Sequence, residues 1–130
     1  MLHSWGMVGM NNVIGWLRLK PGRRDDLLAR ARPFAEASRQ EEGVVFFEVN
    51  PSDTEADVVT FIECYESEGV HQRHLATEEH DALLQDIARI GVGGRFHHVY
   101  PERTDTNDPQ LRGVTLPSAA STAQWSRRAF

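Results

Sequence analysis

Two apolar runs separated by a short polar break constrain this chain most. Val44 to Asn50 and Asp57 to Glu66 both read as strands, and Pro51-Ser52-Asp53-Thr54 lies between them. Strands joined by so short a loop pair most simply as an antiparallel hairpin. A helical pattern stands on each side of that hairpin, with a single strand beyond each helix. Val13 to Lys20 alternates Ile14, Trp16 and the Arg18 stem against Val13, Gly15, Leu17 and Leu19, and Pro21-Gly22 ends it. Arg23 to Glu41 repeats Leu27, Leu28, Ala31, Phe34, Ala35 and Ser38 at helical spacing, with Pro33 inside the pattern and a kink expected there. Ser67 is a candidate N-cap and Thr77 a second one; Leu83, Leu84, Ile87 and Ile90 then form a stripe ending at Gly91. Arg95 to Tyr100 is the last strand.

The order is β-α-β-β-α-β, which predicts a ferredoxin-like split α+β fold: a four-stranded antiparallel sheet with two helices on one face. The other sheet face would be bare, and the strands are apolar on both sides. A bare apolar face of that size is a partner surface, so a homodimer packed through the sheet face is expected. The divisions expected are an N-terminal extension at 1–11, one domain at 12–101 and a tail at 102–130. Tail composition, rich in Thr, Ser, Ala, Asp and Pro, favours a mobile segment. Leu111, Val114, Leu116, Trp125 and Phe130 could instead anchor it across a partner subunit.

Several function classes are excluded at this level. A net charge of −5 and isolated Arg pairs do not suit a nucleic-acid surface. No apolar run reaches the length of a spanning helix, so no membrane is expected as partner. The single cysteine, Cys64, allows no internal disulfide and fits a cytoplasmic location. Met1 to Asn12 lacks the marks of a signal peptide, and Met7 and Met10 offer alternative starts.

The stretch Glu63-Cys64-Tyr65-Glu66-Ser67, followed by His74-Leu75-Ala76-Thr77 and His80, concentrates chemistry where sheet passes into helix. With Leu19-Lys20-Pro21-Gly22, Arg32-Pro33, Ala37 to Gly43 and Phe47-Glu48, it resembles the antibiotic biosynthesis monooxygenase superfamily from about Asn12 to Tyr100. The resemblance implies a dimeric α+β barrel and a small-molecule substrate. That superfamily includes oxygenases of quinols and polyketide aromatics that use neither metal nor flavin, along with haem-degrading enzymes and isomerases. The chain departs from it in three places: Tyr65 where the family usually has Trp, Phe61 where quinone-forming members carry Asn, and Gly15 where the haem-degrading branch needs Asn. Haem degradation is therefore not expected.

The implied activity is cofactor-independent oxidation of a small aromatic, phenolic or quinol-type substrate by dioxygen. Such chemistry needs a base, an oxyanion donor and an apolar pocket. His74 is the candidate base, Tyr65 the hydrogen-bond donor to substrate and Glu63 an orienting or binding carboxylate, with Phe47, Phe61, His80 and Trp16 around the substrate. The same residues have plainer readings. His74 could be a packing residue, Glu63 could pair with Arg95 across the sheet, and Tyr65 and Trp16 could be core or dimer residues. His71, His74, His80 and His97-His98 follow no established ligand spacing, so no metal is expected. A non-oxidative isomerase or lyase and a non-catalytic ligand-binding dimer are the alternatives.

Overall fold

The computed structural model describes residues 10–100 and, as backbone, 104–107. In chain order the elements are β1 (Asn11–Leu19), α1 (Arg24–Arg39), β2 (Val44–Pro51), β3 (Val58–Tyr65), α2 (Glu68–Leu75), α3 (Glu78–Ile90), β4 (Gly91–Val99) and β5 (Thr104–Asn107). The antiparallel sheet runs β2-β3-β1-β4-β5. Its first four strands have the ferredoxin-like arrangement expected of the sequence.

Strand alternation divides the sheet cleanly. Val13, Leu17 and Leu19 of β1 point toward the helices with Val59, Phe61, Glu63 and Tyr65 of β3 and Phe47 of β2. They pack on Leu27, Leu28, Ala31, Phe34 and Ala35 of α1 and on Leu83, Ile87 and Ile90 of α3. Burial of this continuous apolar layer is the main favourable term holding the fold. The opposite face carries Ile14, Phe46 and Ile62, exposed by 38%, 38% and 41%, together with Trp16. Side chains of this size left open on one sheet face form the patch anticipated from the strand pattern.

The structure adds to the sequence reading at three elements. The second helical stretch of the β-α-β-β-α-β order is two helices, one starting from each of the caps expected at Ser67 and Thr77, so three helices cover the sheet where two were expected. Ser67 Oγ accepts from Val70 N, and Thr77 Oγ1 accepts from His80 N. Strand β4 begins at Gly91, because Gly91 to Gly94 join the ladder beside β1. A Cβ at Gly94 would stand 3.2 Å from both the Trp16 carbonyl and Leu17, so the glycine permits that close approach. Finally, Thr104–Asn107 lies inside the segment expected to be an unpatterned tail, yet pairs with β4 from Val99↔Thr104 to Phe96↔Asn107. An edge strand offers its backbone groups to any extended neighbour, whatever that neighbour's side chains. The other tail residues named above lie outside the described residues, as does the 1–9 segment.

Pro33 is accommodated inside α1, which continues to Arg39. The turn after α1 then requires a glycine. Gly43 has φ +89°, and a Cβ there would stand 2.5 Å from Val70 Cγ2 of α2. Arg73 Nη2 donates to the Glu42 carbonyl at 2.8 Å, so the turn is held against α2 from both sides.

Candidate active site

Between the helix-facing side of the sheet and the three helices lies a cavity of about 520 Å³. That volume is within the range of small-molecule sites. Its floor is built by register: Phe47, Glu63, Val13 and His98 form one row across β2, β3, β1 and β4. The adjacent row is Phe61, Gly15 and Phe96. The Phe61 and Phe96 centroids are 5.8 Å apart, and a Cβ at Gly15 would fall 2.3 Å from the Phe96 ring. The missing side chain at Gly15 is what lets Phe96 lie over β1. Phe34 of α1, His71, His74 and Leu75 of α2, and His80, Leu83, Leu84 and Ile87 of α3 complete the wall.

His74 is 1% exposed and packed among aromatic rings. Its centroid lies 5.5 Å from Phe34, 5.4 Å from Phe47, 5.3 Å from Tyr65 and 5.5 Å from His80. Its Nδ1 stands 3.1 Å from Glu41 Oε1. A carboxylate can only accept, so this contact assigns the proton to Nδ1 and the lone pair to Nε2. Burial lowers the His74 pKa below its ordinary value, while the Glu41 hydrogen bond and charge oppose that shift. The result is a neutral imidazole whose protonated form has a carboxylate ready beside it.

Glu63 is 7% exposed, and Tyr65 Oη donates to its Oε1 at 2.5 Å. Burial raises the Glu63 pKa to about 7, and the Tyr65 hydrogen bond pulls weakly the other way. Tyr65 is raised by burial first and by the Glu63 charge second. The Tyr65 ring stacks on His71 at 4.4 Å and 17°. His71, 2% exposed, is lowered to about 4 by burial and then by its neighbours His98, His74 and His80. Its Nδ1 is buried without a hydrogen-bond partner among the described residues. His80 is lowered by burial and His74, against a smaller opposing effect of Asp81.

The structure therefore brings Glu63, His74, His80, Phe47 and Phe61 to one cavity and leaves two expected residues elsewhere. Trp16 stands on the opposite sheet face, where the Arg18 guanidinium lies 5.1 Å from its ring centroid. Strand alternation forces this, because Trp16 is one residue out of phase with Gly15 and Leu17. Tyr65 is fully buried behind the wall, with its hydroxyl occupied by Glu63 rather than directed to a substrate. Arg95 pairs in register with Trp16 on the open face and so is not the partner of Glu63. Sequence reasoning missed Glu41, His98, Phe34 and Phe96 as site residues. Glu41 lay within the family-like stretch before β2, and that was its available signal. Among the described residues, no group of three or more His, Cys, Asp or Glu side chains is placed to hold a metal ion.

A family model described as antibiotic biosynthesis monooxygenase matches residues 10–86, more than half of the chain. No curated protein matches the sequence significantly. Among solved structures, a Pseudomonas aeruginosa protein is similar with a TM-score of 0.67 at 18% identity, over 73% of this chain and 96% of that one. A Shewanella oneidensis protein gives a TM-score of 0.66 at 20% identity, covering 80% and 96%. A Caulobacter crescentus protein, whose name assigns it provisionally to the antibiotic biosynthesis monooxygenases, gives 0.65 at 20% identity, covering 71% and 89%. At these identities the three similarities establish the fold.

Proposed function

Because the chain belongs to the antibiotic biosynthesis monooxygenase family, we propose that it oxidises a small aromatic, phenolic or quinol-type substrate with dioxygen in the Glu41–His74 cavity. The observation that carries this reading is the neutral, carboxylate-backed His74 on the wall of a chamber that, Glu63 apart, is lined by aromatic and aliphatic side chains. His74 Nε2 takes the phenolic proton, and Glu41 steadies the imidazolium that results. The phenolate passes an electron to dioxygen, and Phe34, Phe47, Phe61 and Phe96 keep the radical pair from water. For a phenol with a free ring C–H, the balance is HO–Ar–H + O₂ → O=Ar=O + H₂O. The substrate supplies all the electrons, so the equation closes without a further reductant.

Glu41 is a positioning residue in this scheme, since it acts through His74. The open sheet face, with Ile14, Phe46 and Ile62 exposed, supports pairing of two copies sheet to sheet. The lone thiol Cys64 is buried and pushed up by that burial, which suits a reducing cytoplasm.

A second reading has its own support. A carboxyl that holds a proton near neutrality and a neutral imidazole line the same cavity, which is an acid–base pair suited to isomerisation or elimination. A cavity filled by the side chains of Phe46, Phe47, Phe61 and Trp16 would favour the non-catalytic alternative. Two of those, Phe46 and Trp16, lie on the other face, and the chamber is open.

The test is oxygen uptake by metal-free protein over hydroquinones, anthrones and naphthols, compared with His74→Ala. Enzyme-dependent uptake that His74→Ala loses is the expected result. Turnover that continues under strict anaerobiosis would select the isomerase reading, and full uptake by His74→Ala would remove that residue from the mechanism.

A further inference from the structure

Glu63 is the one carboxyl among the described residues lining the cavity, and no Lys or Arg lines the cavity with it. Its hydrogen bond from Tyr65 is the kind that the carbonyl oxygen of a neutral carboxyl accepts, which leaves Oε2 to carry a proton. Isolating a carboxylate in an apolar chamber without a cation is costly, so such a group takes a proton instead. The titratable groups around it are Tyr65 on its own strand, His71 and His74 from α2, His80 from α3, His98 from β4, and Glu41 from the turn after α1. His71, His74 and His80 are held neutral by burial, so none of them supplies the positive charge that would ionise Glu63.

We propose that Glu63 is the general acid of the site, delivering its carboxyl proton to the oxygen that departs when the peroxide O–O bond breaks. The identity of that acceptor rests on the oxygenase reading; the proton on Glu63 does not. Dioxygen adds to the substrate carbon and, after taking a proton from the His74 imidazolium, gives a C–OOH group. His74 then removes the remaining hydrogen on that carbon. The C–H electron pair becomes the second bond of the new C=O, and the O–O pair leaves with the outer oxygen. That oxygen takes the Glu63 proton and departs as water. The proton now on His74 returns to Glu63, so both groups end as they began. Base and acid thus line one chamber, with the Tyr65 ring, 5.3 Å from His74, as the common backing.

The experiment has two arms. In the first, infrared difference spectra of wild type against Glu63→Gln are recorded across pH without any substrate. A protonated-carboxyl band present at pH 6 and fading near pH 7 is expected. Tyr65→Phe removes the donor that lowers the Glu63 pKa, so its band should persist to higher pH. In the second arm, a phenol that wild type turns over is given to Glu63→Gln, whose amide oxygen can still accept from Tyr65. A first equivalent of oxygen per site should still be taken up, while quinone formation slows by roughly 100-fold or more and the substrate hydroperoxide accumulates. An ionised Glu63 at pH 6, or wild-type quinone formation without peroxide in Glu63→Gln, would overturn the assignment. A carboxyl band together with no oxygen uptake by wild type on any substrate would leave the proton on Glu63 and overturn its delivery to oxygen.

Discussion

Among single residues, what each side chain does follows from the partner it meets. His74→Ala should lower turnover by on the order of 10²–10⁴-fold, the usual contribution of a positioned base. Glu41→Gln should act differently. Glu41 raises the His74 pKa through its hydrogen bond and charge, so its loss should move the acid limb of the rate profile to lower pH while reducing the maximum rate. An unmoved acid limb would show that Glu41 does not act through His74. Gly15→Ala should drive the Phe96 ring out of its place. Because that ring borders the cavity, it can turn inward, so the expected loss is in ligand binding by thermal shift more than in stability, with a cost of about 1 kcal/mol. Sequence alone pointed to His74, because an imidazole beside a sheet–helix junction is conspicuous. It did not reveal Glu41, which lies 33 residues away and meets His74 only through the turn at Gly43. Tyr65 was recognised as important, but its task changed: strand spacing puts it two residues from Glu63 on the same face, and its hydroxyl goes there.

At the scale of elements, caps and glycines decide where the site residues stand. Thr77 starts α3 and thereby fixes His80 one turn in. Thr77→Ala should reduce stability by about 1 kcal/mol, read from the urea midpoint at unchanged slope. Both caps were legible because Ser67 and Thr77 each precede acidic residues that suit a helix start. Strand β5 was not legible. Its Thr-Asp-Thr-Asn sequence has no alternation to read, and its pairing depends on backbone groups that β4 leaves open. The start of β4 was hidden for a related reason, since glycines carry no side chain from which a face can be inferred.

For the whole molecule, the two faces of the sheet make separate predictions. If the open face joins two copies, Ile62→Glu should dissociate them in sedimentation while leaving the cavity face untouched. The cavity face predicts how stability follows pH. His71 titrates near 4 when folded against an ordinary 6.5, and His74 and His80 are shifted the same way. For His71 the unfolded chain binds more protons between those values, and His74 and His80 act in the same direction, so these groups make stability rise with pH toward the ordinary histidine value and fall on acidification. Glu63, raised from 4.5 to about 7, opposes them: its contribution is present below 4.5 and is lost as pH rises through 7. With three imidazoles against one carboxyl, the net slope should be positive, and His71→Gln should flatten it in denaturant titrations at pH 4.5 and 6.5. The split β-α-β-β-α-β layout was readable from periodicity alone, whereas the chamber was not, because it depends on which rows of the sheet meet which helix.

Oxygen transfer in the Glu41–His74 cavity can be followed with ¹⁸O₂ and a phenol that the protein turns over. Each quinone formed should carry one labelled oxygen, with the other label in water and no enzyme-dependent incorporation by His74→Ala. A product that carries no label, or one that forms equally well without dioxygen, would contradict it.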